Sequence, residues 1–270
     1  MLKIPLTHHL PSVVNKIPLR FLRVAPFILQ IGIAVGLTGY FSLHNGQKAV
    51  REVTSQLRRQ ITTRIDHHLK NYLTQPYLIN QLNADAVRLN QLNLSDLSAW
   101  ERHLWERHHH FQDITSLAFI SDQGQGIAIT ENAKNQLIIQ AVDPGTDQAL
   151  HLYEATPEGK RGTLLKTLKN FDPRLISFYT QALDSPQPIS STIVLSPTLE
   201  IPVIAMGQRV NSPDNQRAGV LISTLKVSGI CEFLQTLNVG QTGQTFIVDR
   251  TGTLIASSLK APNTSRLTSI

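Results

Sequence analysis

The sequence predicts an α+β protein: a helix that crosses a membrane, a long helix continuing from it, and a mainly antiparallel sheet in the remaining residues. Three observations carry this. Residues 24–43, VAPFILQIGIAVGLTGYFSL, contain no charged side chain. From Val50 to Leu73 the apolar residues Val50, Val53, Leu57, Ile61, Ile65, Leu69 and Leu73 recur at spacings of three and four, which is one face of a helix. Beyond Asp113 the apolar runs shorten and are separated by Gly, Pro, Asn and Asp, the pattern of strands and turns.

The apolar run is long enough to span a bilayer core of roughly 30 Å as a helix, and in lipid a helix satisfies its own backbone groups. Lys3, Lys16, Arg20 and Arg23 precede it and no acidic residue occurs before Glu52. Positive flanks stay cytoplasmic, so residues 1–23 form a cytoplasmic leader, 24–43 the span, and the rest is exported. A cleaved signal peptide would end in small residues, whereas Gly39-Tyr40-Phe41-Ser42-Leu43 is bulky.

Residues 44–113 read as a helical stalk. The amphipathic helix continues from the span, with Asn45-Gly46 as a candidate break, and is expected to end at Pro76. A polar segment through Asn80, Asn83, Asn90 and Asn93 follows, with Asp85 and Asp96 as candidate caps. Ser95 or Asp96 opens a second helix through Trp100, Leu104 and Phe111 that folds back beside the first.

Two strands follow around Asp122-Gln123-Gly124 in ITSLAFISDQGQGIAIT. Asp143-Pro144-Gly145 is a turn, residues 149–155 a strand, and Pro157-Glu158-Gly159 another turn. Residues 189–195, 201–210 and 218–226 read as further strands, separated by Ser196-Pro197 and by residues 211–215. A short amphipathic helix spans 229–237. The stretch VGQTGQTFIVDRTGTLIASS then forms a hairpin around residues 249–252. One hairpin cannot bury its own apolar face, so residues 229–270 read as the start of a second sheet lobe with an uncovered face. A chain ending near Ser228 is accordingly expected to be the more stable.

Composition excludes several classes. The net charge of +6 is largely explained by the four basic residues before the span, which favours a membrane flank over nucleic acid. One cysteine, Cys231, permits no internal disulfide. His103, His108, His109 and His110 suggest a metal, but adjacent histidines on a helix diverge and no zinc-protease helix motif accompanies them. Gly124-Gln125-Gly126 and the glycines at 240 and 243 lack the context of a phosphate loop. No nucleophile elbow or Ser-x-x-Lys signature is present. No cofactor, no metal and no enzymatic activity within these residues is expected. Phe171 to Ala182 is the candidate binding segment, where aromatic rings and a few polar groups could line a pocket; Arg174 is expected to pair with local carboxylates or carbonyls.

Three stretches together resemble the extracytoplasmic double Cache sensor domain of bacterial receptor histidine kinases and nucleotide cyclases of the cyanobacterial type. NGQKAVREVTSQLRRQITTRIDHHLKNYLTQPYLIN is similar to the dimerising stalk helix, FDPRLISFYTQAL to the family's Asp-Pro-Arg, Trp-Tyr and Ala segment, and VGQTGQTFIVDRTGTLIASS to the opening hairpin of the membrane-proximal lobe. The resemblance implies a membrane-distal lobe of PAS-like fold over residues 114–228 that binds a small extracellular ligand, the beginning of an incomplete membrane-proximal lobe over 229–270, and a homodimer through the stalk. It implies the front end of a receptor, either a fragment or the product of an interrupted gene, since such receptors usually continue into a second span, a linker helix and an output domain. A pilin-like surface protein is the alternative from another class, but the Gly-Phe processing site and early glutamate are missing; an exported hydrolase is the third.

In the amino-acid-sensing members of that family a Tyr, an Arg two places before a Trp-Tyr pair, and a later Asp hold the ligand's carboxylate and ammonium. The resemblance places Phe171, Ile176, Phe178-Tyr179 and Thr224 at those positions. Both charge partners are absent. Candidate pocket residues are therefore Phe171, Ile176, Phe178, Tyr179 and Thr224, with an uncharged or weakly polar ligand expected in place of a free α-amino acid.

Overall fold

The computed structural model describes residues 19–259 apart from positions 133, 213, 215, 238, 240–242, 250 and 251. The leader up to residue 18, parts of the turns expected at 211–215, 240–243 and 249–252, and everything after 259 lie outside the described residues. The chain divides into two units, Met1–Gln60 and Ile61–Ile270.

The first helix, α1, runs Leu19–Arg88. Within the first unit every side chain from 23 to 60 is exposed, including Phe27, Ile28, Leu29, Ile31 and Ile33. This is the one helix among the described residues long and apolar enough to cross a membrane.

Three expectations about α1 are corrected. It does not break at Asn45-Gly46, it does not end at Pro76, and Asp85 is a residue within the helix that pairs with Arg88 at 2.9 Å. An interior proline removes one helical hydrogen bond and commonly kinks a helix. Burial on both sides of Pro76 offsets that loss: Tyr72, Ile79, Ala86 and Val87 enter the core, and Asn80 and Asn83 are buried with them. These asparagines are satisfied. Asn80 donates from Nδ2 to the Met206 carbonyl at 3.1 Å and accepts from Ser223 Oγ, while Asn83 Oδ1 lies 2.9 Å from His103 Nε2. The Asn-rich segment is thus a buried helix face.

Asp96 caps α2, Leu97–His110, by accepting from Ala99 N at 2.9 Å. Trp100, Leu104, Trp105 and His108 form its buried face, and Trp100 stacks on Phe119 with ring centres 4.2 Å apart.

Eight strands then form one antiparallel sheet: β1 Ile114–Ser121, β2 Gly126–Glu131, β3 Leu137–Val142, β4 Leu150–Ala155, β5 Arg161–Leu168, β6 Ile189–Leu195, β7 Pro202–Asn211 and β8 Arg217–Lys226. Their order is β5-β4-β3-β2-β1-β8-β7-β6. β1 and β8 pair inside the sheet, and from them the strands proceed by hairpins to the two edges, through β2, β3 and β4 to β5 on one side and through β7 to β6 on the other. β3 and β5 are not assigned by sequence pattern. In β3 five consecutive residues are buried, so no alternation marks it. β5 is an edge strand exposed along most of its length, where Lys166 and Thr167 blunt the edge.

The alternation of side chains gives the sheet two different faces. Leu117 and Phe119 of β1, Ile129 of β2, and Leu221 and Leu225 of β8 join Trp100, Leu104 and Ile79 in the main core. Ser116, Ala118 and Ile120 of β1 point the other way. On that second face lies α3, Ser177–Asp184, packed on β7 and β8.

After β8, α4 spans Val227–Gln235, followed by a two-stranded hairpin of β9, Phe246–Val248, and β10, Leu254–Ser257. The expectation of an uncovered tail needs correction. Ile230, Leu234, Leu237 and Ala256 belong to the same buried cluster as Tyr72 and Ile79, and Ile247 and Ile255 pack against it. His68 of α1 stacks on Phe233 of α4 at 3.5 Å between ring centres. Phe246, Val248 and Leu254 remain exposed. The apolar face of α4 is covered by docking on the main core, and the hairpin is only partly covered with it.

Candidate functional site

The segment that follows β5 is shaped by its Asp-Pro-Arg sequence. Asp172 accepts from Arg174 N at 2.9 Å and caps a single 3-10 turn, Pro173–Leu175, in which proline occupies the first position and loses no needed hydrogen bond. The Arg174 guanidinium bonds to Asp172 at 2.8 Å and donates to the Asp122 carbonyl at 3.1 Å. It thereby ties the segment to the β1–β2 turn. That hydrogen bond with Arg174 holds the Asp172 carboxyl below the usual carboxylate range. Arg174 acts locally, as its sequence context suggests.

The turn directs α3 onto the sheet. Close approach depends on Gly207 of β7, where an added Cβ would lie 2.7 Å from Ala182 Cβ and 3.0 Å from the Phe178 ring. Between α3, the turn before it, the β6–β7 loop and the sheet floor is a cavity of about 380 Å³, within the range of roughly 300–1,000 Å³ typical of small-molecule sites.

Phe171, Ile176, Phe178 and Thr224 all line this cavity. Tyr179 does not. Its side chain packs with Ile120, Ala182 and Val220, and its hydroxyl donates to the Ser121 carbonyl at 3.1 Å. Burial pushes the Tyr179 phenol up to about 12. Adjacent residues on a helix point about 100° apart, and here Phe178 faces the cavity while Tyr179 is turned onto Ile120 and Val220.

Sequence reasoning missed the floor and the lid. Ala118, Ala128 and Ala205 are small residues on strands whose neighbours are large, and this lack of bulk makes the space. Their identity as cavity residues depends on which strands pair. Gln140 is 7 % exposed and donates from Nε2 to Thr198 Oγ1 of the β6–β7 loop at 3.1 Å. Ser116 and Thr130 hydroxyls are 2.8 Å apart. Among the described residues none that lines the cavity is charged.

The histidines of α2 have different surroundings. His103 contacts Asn83, His109 Nδ1 lies 3.0 Å from the Trp105 carbonyl, and His108 is buried. Burial lowers the pKa of both His103 and His108. Among the described residues no group of three or more His, Cys, Asp or Glu is placed to hold a metal ion.

With this geometry, similarity to solved structures is informative about the fold. The ligand-binding domain of the Pseudomonas fluorescens chemoreceptor CtaA, in complex with L-isoleucine, superposes with a TM-score of 0.51 at 14% identity, over 79% of this chain and 72% of that one. The chain has the fold of a chemoreceptor ligand-binding domain. The amino acid chemoreceptor PctC of Pseudomonas aeruginosa, with GABA bound, gives a TM-score of 0.49 at 18% identity, over 73% of this chain and 72% of that one. The sensory domain of the Campylobacter jejuni chemoreceptor Tlp3 gives 0.48 at 13% identity, over 78% and 72%. No protein-family model and no curated relative matches the sequence.

Proposed function

We propose that the chain is a membrane-anchored, extracytoplasmic sensor module for signal transduction, which binds a small molecule without converting it. The observation that carries this is the neutral cavity of about 380 Å³ beneath α3, lined by Phe171, Ile176, Phe178 and Thr224. The CtaA domain of the same fold holds a small molecule, which supports the reading. The span at residues 24–43 anchors the module, and the basic residues before it hold the N-terminus in the cytoplasm. Val50, Val53 and Leu57 form an exposed apolar stripe on α1, which supports a homodimer through the stalk. Occupancy of the cavity would be communicated along α1, because Asn80 is bonded to β7 and β8, two strands of the cavity floor.

The test is a small-molecule screen by thermal shift on the full chain in lipid nanodiscs, repeated on Ala118→Phe, which fills the cavity. A compound that raises Tm saturably in the parent and not in the variant is expected. If every stabilising compound acts equally on both proteins, the cavity is not the sensor site.

A further inference from the structure

Strand register brings three hydroxyl side chains into one row. Ser116 of β1 stands opposite Thr224 of β8 on one side and Thr130 of β2 on the other, and all three face the cavity. In the adjoining row, Ala118 is opposite Ala128, and Ala128 is opposite Gln140 of β3. One row further, Ile120 is opposite Gly126, and Gly126 is opposite Val142. The floor therefore changes along the strands from hydroxyl-bearing to small to aliphatic, over the distance of a few residues.

The polar row retains unused hydrogen-bonding capacity. Two hydroxyls bonded to each other, as Ser116 and Thr130 are at 2.8 Å, share one hydrogen and leave the second free to donate. The Thr224 hydroxyl has no hydrogen-bond partner among the described residues and adds another donor and acceptor. Gln140 spends one N–H on Thr198 and keeps its carbonyl oxygen, with the side chain more than nine-tenths buried. The nearby charges are already paired: Arg174 with Asp172, and Lys226 with Glu131 at 3.1 Å.

We infer that the cavity selects a neutral molecule with a head that both donates and accepts hydrogen bonds, such as a primary amide or alcohol, on a short apolar body. The head sits on the row Thr224, Ser116 and Thr130, with Gln140 of the adjoining row beside it, and the body lies over Ile120 and against Ile176 and Phe178. This rests on the sensor reading of the same cavity. A carboxylate or ammonium entering it would be desolvated without an opposite charge, which is strongly disfavoured, whereas an amide would exchange its bonds to water for bonds to the floor.

The experiment uses four probes with one carbon skeleton: 4-methylpentanamide, 4-methylpentanoate, 4-methylpentylammonium and 2-methylpentane. Each is titrated at up to millimolar concentration into the full chain in nanodiscs by ligand-observed NMR. The parent, Thr224→Val, Ala118→Phe and the milder filling variant Ala128→Leu are compared. The amide is expected to bind at least about tenfold more tightly than either ion, to weaken by about threefold to tenfold in the isosteric Thr224→Val, and to be lost in both filling variants. If either ion binds as well as the amide and is lost in the filling variants, the neutral-head inference is wrong and the sensor reading survives. A hydrocarbon that matches the amide and is lost in the filling variants overturns the inference in the same way. If no probe binds, or binding ignores both filling variants, the inference and the use of this cavity fall together.

Discussion

The Asn80 side chain on α1 accepts a hydrogen bond from the Ser223 hydroxyl on β8, and both residues are buried. With the Asn80–Met206 bond, this makes one amide a polar link from the helix to two neighbouring strands, beside the Tyr72 hydroxyl that donates to the Lys226 carbonyl of β8 at 2.9 Å. Replacing Asn80 by Leu strands the Ser223 hydroxyl and the Met206 carbonyl contact in an apolar setting. Each unsatisfied group costs about 1–3 kcal/mol, so Asn80→Leu is expected to lose about 2–6 kcal/mol. Urea unfolding followed by the fluorescence of Trp100 and Trp105 measures it. Adding Ser223→Ala should recover part of the loss; a fully additive double variant would show that the two side chains do not interact.

Gly207→Ala should be more damaging than its size suggests. The new methyl would meet Ala182 at 2.7 Å, and relief requires α3 to lift from the sheet. Overpacking of this kind costs about 1–3 kcal/mol and distorts the cavity wall at Phe178. A crystal structure of the variant with α3 unmoved would contradict this.

Tyr179→Phe is expected to cost about 1 kcal/mol by removing the bond to the Ser121 carbonyl, and to leave affinity for any cavity ligand unchanged. Loss of binding at unchanged stability would put Tyr179 in the site after all. Phe178→Ala, by contrast, should weaken binding.

Deleting residues after Ser228 should destabilise the domain, because Ile230 and Leu234 are buried in the main core. Leu234→Ala alone is expected to cost about 2–5 kcal/mol. A truncated chain that unfolded at the same or higher denaturant concentration would show that α4 contributes nothing.

Stability should fall as pH drops below about 6.5, the ordinary histidine pKa. His103 and His108 are held lower than that in the folded chain, both by burial; Glu131 opposes the shift at His108, and Arg107 and His109 add to the shifts at His103 and His108 respectively. The unfolded chain therefore binds protons first as pH falls, and the contribution of these neutral rings is complete above the unfolded pKa and is lost below it. Denaturation midpoints at pH 7.5 and 5.5 test this. In His108→Met the difference should shrink, and an unchanged difference would remove His108 from the account.

Most of the element order was legible from local pattern. The uncharged run of residues 24–43, the three-and-four spacing of α1, the Asp96 cap, the Asp143-Pro144-Gly145 turn and strands β1, β2, β4, β6, β7 and β8 each depend on neighbours close in sequence. The absence of charge at Ile176 and Thr224 suggested a neutral pocket only through the family resemblance that placed those residues there. What local pattern could not determine was anything set by partners distant along the chain. Pro76 stays inside a helix because Ile79 and Asn80 find β7 and β8 more than a hundred residues away. Tyr179 turns from the cavity because its hydroxyl reaches Ser121. The row of Thr224, Ser116 and Thr130 exists only once β8 and β2 pair with β1 in one register, since shifting a strand by a single residue would turn every hydroxyl to the opposite face. Sequence by itself determined most of the elements; long-range pairing and burial decided the shape of the cavity, because those energies belong to contacts that no short stretch of chain contains.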